Sequence, residues 1–188
     1  VTFFDNVVVG ILSKDSGEAT AFARSIRSMV EKLPPWMNPG FSKYTEQTFI
    51  TKKTSSKVIS ATVNPQEPTK TLRGKAITFL VIDEAAFIQK IENAWESIAP
   101  ALSTSQKLAR SAGIPYGTVI VSTPNKTNGV GKFYFEQWSY ANNNMAPGSD
   151  AVTLFRPIIV HWKDIPELAN DPHWYSNTCA LFNNDPRK

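Results

Sequence analysis

The sequence has few of the residues that hold disulfide-rich or zinc-dependent proteins together. Its 188 residues include one cysteine, Cys179, and two histidines. A single cysteine cannot form a disulfide within the chain, which suits a reducing compartment. The same scarcity excludes a zinc cage built from Cys and His ligands. No apolar run reaches the length of a membrane-spanning helix, so the sequence predicts no transmembrane segment.

A second absence concerns the start of the chain. It opens with Val1 rather than Met, and no charged segment, apolar stretch and cleavage site follow in the pattern of a signal peptide. We therefore expect a piece excised from a longer protein.

The composition is that of a folded globular domain. Hydrophobic residues make up 41% and charged residues 19% of the chain, and its 188 residues fit one domain. The 20 Lys and Arg exceed the 16 Asp and Glu, which gives a net charge of +4 and a pI near 9.2. This balance permits a polyanionic partner without requiring one.

Apolar runs alternate with amphipathic stretches, which predicts an α/β fold with a mostly parallel sheet and flanking helices. Apolar, β-branched runs predict buried strands at 6–13, 77–82, 118–122 and 154–160. Helical spacing predicts helices at about 16–33, 91–102, 132–140 and after Pro172. Two further β-branched stretches around a polar turn predict a hairpin over about 47–63.

The strongest chemical signal is the pair Asp83-Glu84, which directly follows the apolar run Phe79–Ile82. In a parallel sheet ligands bind beyond the carboxyl ends of the strands, so the pair lies where a site is expected. Because successive residues leaving a strand point in different directions, one acid can hold a metal-bound water while the next polarises an attacking water. The alternative is an ordinary solvated strand end or helix cap.

Two weaker signals accompany the acids. The triplet Ser122-Thr123-Pro124 ends another apolar run, where a hydroxyl can sense a phosphate or the water beside it. The alternative for the triplet is an ordinary turn before proline. Arg73 stands eleven residues before Glu84 and can reach a phosphate on its own or a neighbouring subunit, the alternative being a solvated loop charge.

The sequence lacks the phosphate-binding P-loop, which requires G-x-x-x-x-G-K followed by Ser or Thr. The two Gly-Lys pairs, Gly74-Lys75 and Gly131-Lys132, have neither the upstream glycine nor the following hydroxyl residue. The chain therefore carries a Walker B-like segment without a Walker A motif.

Taken in order, these segments resemble the ATPase domain of the large terminase subunit of tailed bacteriophages, the motor that packages DNA. The resemblance is carried by the VVVGILSK strand, the LPPW helix end, the TFIT and KVISA strands, the Leu-Arg-Gly step, LVIDEAAF, the STP triplet and an aromatic helix that starts with Phe-Tyr. These segments follow the family's order along most of the chain.

The resemblance implies a role for each candidate residue. Asp83 would coordinate Mg²⁺ beside ATP, and Glu84 would activate the attacking water. The 122–124 triplet would be the coupling motif beside the nucleotide, which links hydrolysis to DNA movement. Arg73 falls where some ring-forming packaging motors carry an arginine finger that acts in trans.

The resemblance also implies an architecture: a RecA-like P-loop ATPase of the ASCE type. Residues 1–188 would be a single partial ATPase domain that lacks Walker A, with the hairpin as an insertion and 163–188 leading towards an absent nuclease domain. The usual strand order of this class is 5-1-4-3-2, with the P-loop strand as number 1, so the four predicted strands would be numbers 2 to 5. Without strand 1, we expect 154–160 to pair with another chain or to be displaced from the sheet.

The implied partners and location follow from the packaging role. The resemblance implies double-stranded DNA, a portal protein and a small terminase subunit as partners, and a homo-oligomeric ring for the full-length protein. It implies ATP and Mg²⁺ as cofactors, no membrane, and the cytoplasm of a bacterial host.

Other functions remain open from the residues alone. Asp83-Glu84-Ala85-Ala86 and the triplet also suit a helicase-like ATPase of the same superclass. A non-catalytic DNA-binding or assembly module is favoured by a set of basic residues that can contact phosphates: Lys52, Lys53, Lys57, Lys70, Arg73 and Lys75. A solvated face is the better explanation of that set on the residues alone. A two-metal nuclease is discounted, because no other predicted strand ends in an acid.

Overall fold

The computed structural model describes residues 1–144 and 155–181. The chain divides into two compact units, residues 1–139 and 140–188. The first unit contains six strands: β1 (Val8–Ser13), β2 (Phe41–Tyr44), β3 (Thr48–Thr51), β4 (Lys57–Thr62), β5 (Phe79–Ile82) and β6 (Gly117–Ile120). The helices of the described residues are α1 (Ser16–Glu31), α2 (Ile91–Ser111), α3 (Lys132–Asn143), α4 (Pro166–Ala169) and α5 (Trp174–Leu181).

The six strands form one sheet in the order β2-β3-β4-β1-β5-β6. Strand β1 pairs in parallel with both β4 and β5, and β5 pairs in parallel with β6. The neighbouring strands β1, β5 and β6 correspond to the predicted strands 2, 3 and 4, so this part of the expected order is confirmed. The fold class is likewise confirmed as a mostly parallel sheet with flanking helices.

Strand β1 is buried on both faces, which explains its continuous apolar sequence. Ile11 packs in a cluster with Ala23 of α1. Its neighbour Leu12 packs in a second cluster with Ile98 of α2. Because adjacent side chains of a strand point to opposite faces, α1 and α2 cover the two sides of the sheet. The three layers leave the strand ends free to carry a site.

Helix α1 begins as its sequence predicts. The Asp15 side chain accepts a hydrogen bond from the Glu18 backbone N–H at 2.9 Å, which satisfies one of the free N–H groups of the first turn. Helix α2 is nine residues longer than the predicted 91–102. The difference arises because its second half is mostly exposed and so lacks the apolar periodicity on which the prediction depended.

The predicted hairpin is present as the antiparallel pair β3 and β4. Strand β2, which pairs antiparallel with β3, was not predicted. Three of its four residues are exposed, so it has no alternation of apolar and polar residues to reveal it.

The predicted strand at 154–160 is wrong for the residues that can be checked. Leu154 lies outside the described residues, and residues 155–160 form no strand. Ile158 and Ile159 are each 74% exposed, and Pro157 has no N–H to donate to a ladder. An apolar run makes a strand only where a neighbour pairs with its backbone, and none of the described strands does so here.

The described part of the second unit is organised by aromatic contacts. The Trp162 ring lies 5.1 Å from Trp174 and 5.6 Å from Tyr175, measured between ring centroids. Helix α5 begins at Trp174, two residues later than the predicted start at Pro172. Over residues 1–144 and 155–181, no helix combines the length and the apolar character needed to cross a membrane.

Candidate functional site

The candidate site lies at the edge of the sheet where the parallel strands end. Asp83 is the first residue after β5, and its backbone N–H donates to the Leu12 carbonyl of β1 at 2.8 Å. The ladder therefore continues one residue past the strand, which fixes the Asp83 backbone beside the end of β1. Its side chain is half-buried, as expected for a residue delivered to the edge by a buried strand.

The backbone of Glu84 is left-handed, with φ 53° and ψ 42°. This conformation costs a residue other than glycine about 1–2 kcal/mol, so the surroundings must hold it. The Ala85 N–H donates to the Val121 carbonyl at 3.1 Å. The next N–H, that of Ala86, donates to the Ser122 hydroxyl at 3.1 Å. Both bonds join the turn after Glu84 to the end of β6.

The structure therefore brings the hydroxyl triplet next to the acids. The Thr123 hydroxyl lies 3.5 Å from Oε2 of Glu84, and Ser122 holds the backbone two residues further on. Pro124 follows in the exposed part of the loop. The pairing of Ile82 with Ile120 explains the arrangement, because the two strands end side by side.

Two residues that were not among the predicted site residues complete this network. Asn125 donates from Nδ2 to the Ala86 carbonyl at 2.8 Å, and its Oδ1 accepts from the Lys126 backbone N–H at 2.7 Å. Tyr134 donates from its hydroxyl to the Ser122 carbonyl at 3.3 Å, and burial raises its pKa. Their signals in the sequence are their positions after the triplet and, for Tyr134, the Phe-Tyr start of the aromatic helix; neither indicates these contacts.

The loop after the triplet closes on a glycine. A Cβ added at Gly131 would lie 2.1 Å from the Lys126 carbonyl oxygen and 3.2 Å from Asn125 Cβ. Only glycine allows so close an approach of two backbone segments. Gly131 therefore sets where Asn125 lies relative to the acids.

Lys14, directly after β1, brings a cation to this edge. Its Nζ lies 2.9 Å from Oε1 of Glu18. The hydrogen bond with Glu18 is the main cause that raises the pKa of Lys14, while partial desolvation opposes it and Glu84 and Asp15 raise it further. Its charge is therefore fixed at neutral pH beside the candidate acids.

The acids suit a metal that is shared with a ligand rather than one enclosed by protein. Within the described ranges, no group of three or more His, Cys, Asp or Glu side chains could hold a metal ion. Mg²⁺ often binds through one or two carboxylates and completes its shell with phosphate oxygens and water. The half-buried Asp83 carboxylate, to which no described residue donates a hydrogen bond, fits that arrangement.

Arg73 is not brought to this edge. It precedes β5, whereas the acids follow β5, and the extended segment 77–83 between them spans roughly 20 Å at about 3.3 Å per residue. The turn that contains Arg73 is fixed by the left-handed Leu72 (φ 53°) and Gly74 (φ 71°). Leu72 is buried while Arg73 is exposed. Arg73 therefore cannot serve the acids of its own chain.

We expect Asn125→Ala to loosen the turn that follows Glu84. The substitution leaves the Ala86 carbonyl without its donor, at a cost of about 1–3 kcal/mol. Amide hydrogen exchange should accelerate at Phe87, whose N–H closes the same turn onto the Glu84 carbonyl. Asn128→Ala, at an exposed position of the same loop, should leave that exchange rate unchanged. An unchanged rate in Asn125→Ala would show that its amide does not hold the turn.

Comparisons with known proteins identify the fold. No protein-family model and no curated protein matches the chain. The large terminase ATPase domain of Thermus phage P74-26 is 18% identical, with a TM-score of 0.58 over 94% of this chain and 71% of that one. A mutant of that domain is 17% identical, with a TM-score of 0.60 over 94% and 72%. The HK97 bacteriophage large terminase is 12% identical, with a TM-score of 0.50 over 96% of this chain and 38% of that one. The chain therefore has the fold of phage large terminase ATPase domains.

Proposed function

We propose that the chain is the ATPase part of a large terminase subunit, which uses ATP hydrolysis to move double-stranded viral DNA into a procapsid. The observation that carries the proposal is the joint placement of Asp83, Glu84 and Thr123 at the carboxyl edge of a sheet with the terminase ATPase fold. The proposal includes ATP and Mg²⁺ as cofactors. It includes a portal protein and a small terminase subunit as partners, and the host bacterial cytoplasm as the location.

Each residue at this edge has a defined task in the proposed reaction. Asp83 holds Mg²⁺, which when bound offsets negative charge on the nucleotide phosphates. Glu84 orients the attacking water and accepts its proton at a carboxylate oxygen. Its left-handed backbone is held through Ala85 and Ala86. Thr123 is close enough to respond to the charge state of Glu84.

The coupling of hydrolysis to movement is assigned to the loop that begins at Ser122. Ser122 contacts the acid-bearing turn through its hydroxyl and helix α3 through its carbonyl, which accepts from Tyr134. A change at Glu84 therefore has a hydrogen-bonded route to α3. Ser122, Thr123 and Pro124 are proposed to carry that signal.

Arg73 is proposed to act on the site of a neighbouring subunit. The strand between it and Glu84 rules out its own site, and an exposed Arg beside a glycine turn is free to reach an adjacent chain. Its planar guanidinium would bind the transferring phosphoryl group through two N–H donors. This arrangement requires a head-to-tail assembly, in which Arg73 of each subunit lies beside the acids of the next.

Mixing two inactive variants of the full-length protein tests the proposed function. We expect Arg73→Ala and Glu84→Gln each to lack ATP turnover. In a mixed ring, roughly one quarter of the interfaces combine an intact Glu84 with an intact Arg73 from the next subunit. Turnover should therefore reappear on mixing, whereas an Arg73→Ala, Glu84→Gln double variant mixed with inactive Glu84→Gln should stay inactive. Failure to recover activity would contradict the trans role, and turnover in unmixed Arg73→Ala would contradict any role for the finger.

A further inference from the structure

The edge of the sheet opposite the candidate site carries mainly positive charge. Lys57 opens β4 and pairs with Val8 at the start of β1, and Val9 pairs with Phe79 at the start of β5. The turn before β4 and the loop before β5 therefore lie at the same, amino-terminal edge. Two strand spacings, about 10 Å, separate β4 from β5.

The turn before β4 is held rigidly by buried hydroxyl groups. The Thr51 and Thr54 hydroxyls lie 2.6 Å apart, and the Ser56 N–H donates to the Thr51 hydroxyl at 3.0 Å. The Ser56 hydroxyl donates to the Phe4 carbonyl at 2.7 Å, and the Thr54 hydroxyl donates to the Val1 carbonyl at 2.6 Å. Thr51 and Ser56 are fully buried. The backbone that displays the exposed Lys52 and Lys53 is thus fixed in advance.

The loop before β5 is anchored in the same manner by apolar side chains. Leu72 and Ile77 are buried in the core, while Arg73 and Lys75 between them are exposed. The Lys75 N–H donates to the Leu72 carbonyl at 3.2 Å, which closes the turn. Two rigid segments therefore display basic side chains from neighbouring positions on one edge.

Most of these cations have no acidic partner. Of the six basic residues in the two segments, only Lys70 forms an ion pair within the described residues, with Glu67. The remaining five are Lys52, Lys53, Lys57, Arg73 and Lys75, of which Arg73 is already assigned to the neighbouring subunit's site. The opposite edge instead carries the acids Asp15, Glu18, Asp83 and Glu84, with Lys14 as a cation among them.

We propose that this amino-terminal edge binds the phosphate backbone of duplex DNA. Over about 10 Å of helix axis, each strand of a duplex presents about three phosphates, at one per 3.4 Å, so the four remaining lysines of the two segments can each contact a phosphate. Because the backbone of both segments is already fixed, less conformational entropy is lost when their side chains bind a partner. The acidic edge repels the same polyanion, so DNA and the chain's own nucleotide bind at opposite edges. The choice of duplex DNA as the polyanion rests on the proposed function.

Salt-dependent binding of the 188-residue chain to a fluorescent 30-base-pair duplex, without nucleotide, tests this proposal. The test variant neutralises exposed residues of the edge: Lys52→Gln, Lys53→Gln and Lys75→Gln. The control removes the same charge from exposed residues elsewhere: Lys90→Gln, Lys126→Gln and Lys132→Gln. Arg73 is kept in both proteins because of its proposed role in hydrolysis. Equal thermal unfolding midpoints establish that both variants are folded.

We expect the test variant to bind at least tenfold more weakly at 50 mM salt and the control to stay within about twofold of the unmodified chain. The slope of log K against log salt should fall by about 0.9 for each lost phosphate contact. Equal weakening in both variants, or no binding by the unmodified chain, would overturn the assignment. Tighter binding to a single strand would overturn the duplex choice and point to stacking on Phe3 and Phe4, which are 68% and 47% exposed beside this edge. Because nucleotide is absent, failure of the ATPase proposal leaves this result unaffected.

Discussion

Glu84→Gln in the full-length protein is expected to abolish ATP turnover while leaving nucleotide binding largely intact. Glutamine keeps the size and hydrogen-bonding capacity of the side chain but cannot accept the proton of the attacking water. Loss of a general base lowers the rate by about 10²–10⁴-fold. Single-turnover hydrolysis and fluorescent-nucleotide titration separate the two effects, because only the first depends on the carboxylate.

The matched control for this prediction is Glu96→Gln. Glu96 lies on α2 and is exposed, and the substitution makes the same change in charge away from the edge that carries Asp83. Its turnover should equal that of the unmodified protein. If Glu84→Gln also retained normal turnover, Glu84 could not be the residue that activates water.

The second large effect is expected at Gly131. In Gly131→Ala the new methyl group would meet the Lys126 carbonyl oxygen at 2.1 Å, and a backbone atom cannot move aside as a side-chain end can. Overpacking of this kind costs typically 1–3 kcal/mol or more, and we expect about 3 kcal/mol. Denaturant unfolding of the 188-residue chain measures this loss of free energy.

Gly129→Ala distinguishes the collision from backbone strain. Gly129 has φ +60° but open space where its Cβ would lie, so only the left-handed conformation is penalised, by about 1–2 kcal/mol. Gly131→Ala should therefore be the more damaging of the two. The reverse order would mean that the segment around Lys126 yields to the methyl group.

The parts of the fold that were predictable are those with strong periodic burial. Strand β1 is apolar because both faces are covered, and α1 has a cap at Asp15 and a buried stripe; both were found within two or three residues of their observed bounds. Strand β2 and the second half of α2 are mostly exposed. Exposed residues do not follow an apolar pattern, so the sequence gives no indication of these two elements.

The candidate site was predictable to the extent that it depends on strand ends. Asp83, Glu84 and Ser122 leave neighbouring parallel strands, and that alone brings them together. Asn125 and Tyr134 enter through a loop whose path is set by Gly131, and neither hydrogen bond follows from spacing along the chain. The predicted strand at 77–82 already separates Arg73 from Glu84, and the observed Phe79–Ile82 strand bears this out; what the sequence left open was whether Arg73 serves its own or a neighbouring subunit.

Because the backbone at Glu84 is left-handed, directed evolution for stability would work against catalysis. Glycine adopts this conformation without the Cβ penalty, and even after its larger loss of chain entropy it would gain up to about 1 kcal/mol there. In a library sorted only for resistance to heat or protease, glycine should accumulate at position 84 and remove the carboxylate. A thermostable version of this chain therefore has to be selected with position 84 held constant, or stabilised through the core residues that α1 and α2 cover.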